Sequence, residues 1–136
     1  MIKLKDPLSF GLLIINVIFL LYYAIQLLIF TDEFAIKNIG FFNHAVAGLS
    51  EIIGIIFLCL SIGLLISFLN GAKNQGPLFI TILLTQILIA FNFWRYVFTN
   101  SPGETDIKII TFNALVFSLM GFLMLLLILR LKNKLK

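Results

Sequence analysis

Two charged side chains, Glu51 and Arg95, lie within long apolar stretches of this sequence, and they are the first candidates for chemistry. A carboxylate and a guanidinium at the edge of hydrocarbon attract each other and can hold a polar headgroup or pass a proton. His44 precedes Glu51 by one helical repeat, so the two also have the makings of a pH-responsive site. Gln26, Asn92 and Asn113 are amides in other apolar runs and supply neutral donors and acceptors. Other chemistry is scarce. The single Cys59 allows neither an intramolecular disulfide nor a Cys-x-x-Cys redox site, and reads as a small apolar residue. The single histidine cannot provide bis-histidine haem ligation, and with one cysteine it falls short of an ordinary zinc site. There is no Gly-rich phosphate loop, no G-x-S-x-G and no H-E-x-x-H. No metal and no resident cofactor are expected. An enzyme would have only Glu51 with His44 as an acid–base pair, so a non-catalytic role is the expectation.

The elements that position these residues follow from composition. Of 136 residues, 61% are hydrophobic and 12% charged, where an ordinary soluble domain has roughly 25% charged residues. That excludes a soluble enzyme, a disordered chain and a disulfide scaffold, and it implies an integral membrane protein. Charges are absent between Asp6 and Asp32, Glu51 and Lys73, Lys73 and Arg95, and Lys108 and Arg130. Each interval leaves room for the ~20 apolar residues that cross a bilayer. The spacing predicts helices over about 8–30, 44–69, 78–99 and 108–130, forming one antiparallel four-helix transmembrane bundle over 1–136. The stretch from Thr31 to Asn43 carries Phe34, Ile36, Ile39, Phe41 and Phe42, which predicts a short amphipathic piece along the interface. The first apolar run is longer than the ~7–15 residues of a signal-peptide core and no A-x-A-like site follows, so it reads as an uncleaved helix.

Net charge is +4, with the basic residues at the ends of the apolar runs, where they report orientation rather than nucleic-acid binding. Lys3, Lys5, Lys73, Arg130, Lys132, Lys134 and Lys136 would share one side, against Lys37, Lys108 and Arg95 on the other. This bias predicts cytoplasmic termini, most simply in a bacterial inner (plasma) membrane.

Small and polar residues form stripes, which membrane helices turn toward one another. The first helix has Ser9, Asn16, Tyr23 and Gln26; the second His44, Ala47, Gly48, Glu51, Gly54 and Ser61. The third has Thr81, Thr85, Asn92, Arg95 and Thr99; the fourth Thr111, Ala114, Ser118 and Gly121 beside Asn113. In the predicted topology Glu51, Arg95, His44, Gln26, Asn92 and Asn113 all belong to the outer half and converge on one polar pocket. A charge at mid-span costs roughly 2.5–3.5 kcal/mol on insertion scales, and pairing reduces this. Three readings of Glu51 and Arg95 stand: an ion pair locking the second and third helices, a pocket for the polar head of a lipophilic ligand, or Arg95 snorkelling beside Trp94 and Tyr96. The amides serve as interhelical hydrogen bonds worth ~0.6 kcal/mol each.

The second helix reads Ala47-Gly48-Leu49-Ser50-Glu51-Ile52-Ile53-Gly54, followed by an apolar run to Gly63. A glycine, a glutamate three residues on and a glycine three further resembles the second helix of DoxX-like membrane proteins, a group similar in length, helix number and topology. The resemblance covers 44–130 loosely and 47–63 as a motif; the first helix departs, having neither Lys nor Arg and only Gly11. It implies a role beside membrane redox complexes, often as a small subunit, or binding of a lipophilic molecule, with Glu51 as a structural or pocket acid. The expected function is thus a non-catalytic accessory subunit of a membrane complex or a binder of a lipophilic ligand. The alternatives are a quinone-linked redox subunit and a small proton-coupled transporter. Expected partners are membrane lipids and other membrane subunits or further copies of the chain, with no nucleic acid.

Overall fold

Three of the five helices among the described residues begin at a side chain that caps them. In the structure, a computed structural model describing residues 6–133 and 135, α1 (Pro7–Leu28) opens with Asp6 accepting from the Leu8 amide and Pro7 in the first turn. Proline suits that position because its missing N–H would have no helical partner. The chain turns at Ile29 and continues as α2 (Thr31–Ile39), tied to α1 by the Thr31 hydroxyl donating to the Leu27 carbonyl at 2.6 Å. Gly40 ends α2 in the left-handed region at φ +90°, and a side chain there would strike the Glu104 backbone. Asn43 caps α3 (His44–Asn70) by accepting from the Val46 amide at 2.9 Å. A tight turn leads to α4 (Gly76–Phe98), and Asp106 caps α5 (Ile107–Leu131) through the Lys108 amide at 2.9 Å.

The described residues are all helix and turn, and α1, α3, α4 and α5 are long and apolar enough to cross a membrane. The chain is therefore a membrane protein, and the four spans match the sequence prediction to within two residues at either end. The expected amphipathic piece is the nine-residue α2. Lys3, Lys5, Lys134 and Lys136, part of the orientation argument, lie outside the described residues.

Packing pairs α1 with α3 and α4 with α5, with α1 also meeting α5 and α3 meeting α4 beside their turn. Small residues set the closest approaches. A β-carbon added to Gly54 would stand 2.8 Å from Leu28 Cγ and 3.0 Å from Leu27 Cβ, so α3 reaches α1 only because that position has no side chain. Leu13, Leu20, Leu64, Phe79, Ile82, Met124 and Leu127 fill the interior. Around Tyr23 gather Phe19 and Phe117, with ring centroids 5.0 and 4.9 Å away.

At the opposite end, Arg130 of α5 bonds Asp6 through Nη2 at 2.7 Å and Nε at 3.1 Å, and Ser9 donates to the same carboxylate at 2.7 Å. The Ser9 hydroxyl first, then the guanidinium, pull the Asp6 carboxyl from its ordinary 3.8 down to about 2. Arg130 therefore does more than mark an edge: it joins the last helix to the start of the first.

The α1 and α5 stripes face inward. Ser9, Asn16 and Tyr23 are buried on α1, and Asn113, Ala114 and Gly121 on α5. The other two stripes require correction. On α3 the buried line is Ser50, Gly54, Phe57, Ser61 and Leu64, which leaves His44 and Glu51 exposed on its flank. On α4 it is Phe79, Ile82, Gln86 and Ala90, while Thr81, Asn92, Arg95 and Thr99 are exposed. The threonines can face outward because each satisfies itself: Thr81, Thr85 and Thr99 donate to the carbonyls of Pro77, Thr81 and Arg95 at 2.8–2.9 Å.

Candidate functional site

A cleft of about 540 Å³ opens between the end of α1, α2 and the start of α5. Its floor is apolar, formed by Phe19, Phe34, Ile109 and Val116, with exposed Phe112 at the rim. Its wall is polar, formed by Tyr23, Gln26, Asn38 and Asn113, and Glu33, Lys37 and Lys108 also line it. Those three charged side chains are exposed, so they ring the mouth.

The wall is held by a hydrogen-bond chain through three helices. Buried Tyr23 of α1 donates its hydroxyl to Asn113 Oδ1 of α5 at 3.0 Å. Asn113 Nδ2 donates to Asn38 Oδ1 of α2 at 3.0 Å. Asn38 Nδ2 donates to the Phe34 carbonyl at 2.9 Å, and the Asn38 carbonyl accepts from Thr105 at 2.9 Å. Both polar ends of Asn113 are thus committed to structure. Gln26, half-buried in the same wall, makes no hydrogen bond to the described residues and can offer its carbonyl and amide to a ligand.

Of the six candidate residues, then, the structure brings Gln26 and Asn113 together and leaves the other four elsewhere. Glu51 and Arg95 do not pair; the ion pair among the described residues is Arg130 with Asp6. Two and a half turns, about nine residues, separate Arg95 from the buried Gln86, so it points away from the bundle, and its guanidinium lies 4.7 Å from the Tyr96 ring centroid. Gly63, packed on Leu78, marks the side of α3 next to α4, and Glu51 lies about a third of a turn round from it. Asn92 is exposed on α4. His44 is the first, exposed residue of α3, ~10 Å along the axis from Glu51 by helical rise, too far for direct proton transfer. Among the described residues no three His, Cys, Asp or Glu side chains gather as a metal-ligand set.

A second polar link lies deeper. Gln86 Nε2 of α4 donates to Asn16 Oδ1 of α1 at 2.9 Å, and Asn16 Nδ2 donates to the Leu12 carbonyl at 2.9 Å. Both residues are fully buried, and Gln86 Oε1 has no partner among the described residues. By helical rise each stands ~15 Å from the start of its helix, near mid-span. The sequence stripes mark Asn16 but not Gln86, whose signal was an amide beside Thr85 in a long apolar run. Lys37 and Lys108 count in the sequence only as orientation charges, and Asn38 lies in the amphipathic piece between spans, so none of the three is marked as a site residue.

No family model, no curated protein and no solved structure matches this chain.

Proposed function

We propose that this protein is a non-catalytic bundle of four antiparallel transmembrane helices that binds an amphiphile in the cleft between α1, α2 and α5. The termini would be cytoplasmic and the cleft would open at the outer leaflet, most simply of a bacterial inner membrane. The antiparallel reading is supported by contacts that join the start of α1 to the end of α5 (Asp6 with Arg130) and the second half of α1 to the start of α5 (Tyr23 with Asn113).

One observation carries the ligand reading. The cleft has the volume of a small-molecule site and places an unpartnered amide, Gln26, between an aromatic floor and a charged mouth. Phe19, Phe34 and Phe112 suit a chain or ring, and Gln26 suits a hydrogen-bonding head. A quinone, the ligand class that the DoxX-like resemblance implies, is a second occupant with this chemistry. The neutral Tyr23, Gln26 and Asn113 in the wall favour it over a strongly charged headgroup.

The test is native mass spectrometry of protein extracted gently from membranes, beside a Val116→Trp variant that fills the cleft. An amphiphile carried by the wild-type chain and lost from the variant supports the proposal. Equal occupancy in the two, or none in either, refutes it. A quinone spectrum in the wild-type extract would select the second occupant.

A further inference from the structure

We propose that copies of this chain associate head to tail in the membrane, the Glu51 flank of α3 in one copy lying against the Arg95 end of the α4–α5 groove in the next. Two observations on separate helices lead here. Glu51 lies ~10 Å inside its spanning helix by rise, exposed, and without an ion-pair or hydrogen-bond partner among the described residues. Arg95 lies ~5 Å inside the end of α4, also exposed, and rests only on the Tyr96 ring. Each is costly to leave alone beside lipid, and the two do not pair within one chain. Opposite charges on different faces satisfy each other only between molecules.

The surfaces around them are both exposed and apolar. Below Arg95, at four-residue steps, α4 presents Phe91 and Ile87. With Ala90, Ser118 and Gly121 these line an open groove of about 270 Å³ between α4 and α5. Below Glu51, at one and three turns, α3 presents Ile55 and Ile62, exposed by 52% and 46%. Gly48, one turn above, has open space where a side chain would stand. In the topology proposed above, α3 descends from the outer surface and α4 ascends to it. With Glu51 set against Arg95, Ile55 therefore comes level with Phe91 and the groove. The two faces differ, so the contact is heterologous, and each copy offers one face to each of two neighbours in the plane of the membrane. The association does not depend on the cleft being a ligand site.

The experiment uses two tagged forms of the full chain co-expressed in native membranes, both Cys59→Ser, one with Glu51→Cys and the other with Arg95→Cys. Oxidative crosslinking is expected to join unlike tags and to leave either form alone largely uncrosslinked. A parallel series without engineered cysteines measures the oligomer by native mass spectrometry. Glu51→Arg or Arg95→Glu alone should weaken association about tenfold or more, as for other close charge pairs, and the double reversal should restore it. Crosslinks only between two Glu51→Cys chains, capture of a different membrane protein in place of a copy, or a monomer unaffected by charge reversal would each overturn the proposal. Both side chains lie outside the packed interior, so the charge reversals do not threaten the fold of the single copy.

Discussion

Asn16 and Gln86 offer a prediction in which one substitution repairs another. Replacing Gln86 by leucine removes the 2.9 Å bond to Asn16 Oδ1 and with it the unpartnered Oε1, but leaves Asn16 Oδ1 without a donor. One orphaned oxygen replaces another, so the expected cost is that of the bond, ~0.6 kcal/mol and at most ~1.7 kcal/mol in a membrane protein. Replacing Asn16 by leucine removes the same bond but leaves the whole Gln86 amide, at 0% exposure, without a partner. That adds a desolvation cost of roughly 1–3 kcal/mol. Asn16→Leu should therefore be clearly worse than Gln86→Leu. The double variant, which has no orphaned amide, should be more stable than Asn16→Leu alone. The assay is reversible unfolding in mixed micelles followed by helicity, as a double-mutant cycle. A double variant no more stable than Asn16→Leu, or additive single effects, would show that the two amides do not depend on each other and would refute the packing described.

Gly54→Leu drives a side chain into Leu27 and Leu28, so α1 and α3 must separate; a loss of about 1–3 kcal/mol is expected in the same unfolding assay, with little effect from Gly11→Ala, which meets open space. The Asp6 carboxyl is held down to about 2 by Ser9 and Arg130, so its contribution is fully present above its ordinary 3.8 and is lost as pH falls through 2. The thermal midpoint of the wild-type protein should fall over that window more steeply than that of Asp6→Asn, and parallel curves would contradict the tie between α1 and α5.

The spans were legible because lipid imposes length and apolarity on any helix that crosses it, and 136 residues with few charges leave little choice of boundary. Helix rotation was legible on α1 and α5, where the Asn16 Oδ1, the Tyr23 hydroxyl and the Asn113 amide take partners on other helices. It was not legible on α4, where threonines bond their own preceding turn and lose any need to face inward. On α3 the decisive residue was Gly54, which admits Leu27 and Leu28, whereas the more conspicuous Glu51 was carried to the flank. The cleft was half legible. Gln26 and Asn113 lie within spans, but Asn38 joins the network only because α2 folds back onto α1 and α3, within side-chain reach of Asn113, a placement that hydropathy does not encode.

The polar groups are sorted by what the chain can satisfy. The neutral groups that bridge helices lie buried or half-buried, where one hydrogen bond each meets most of their need: Asn16 with Gln86, Tyr23 with Asn113, Trp94 with Ser118. Within the spans, Glu51 and Arg95 lie outside, on surfaces otherwise given to leucine, isoleucine and phenylalanine. A fully buried pair would have to recover the desolvation of both charges from a single contact, which interiors do poorly. Left on the exterior, the same charges remain available to another molecule. This separates the two proposed roles physically. The cleft belongs to α1, α2 and α5, and the charged flanks to α3 and α4, so filling the cleft at Val116 should spare association, and reversing Glu51 should spare the cleft.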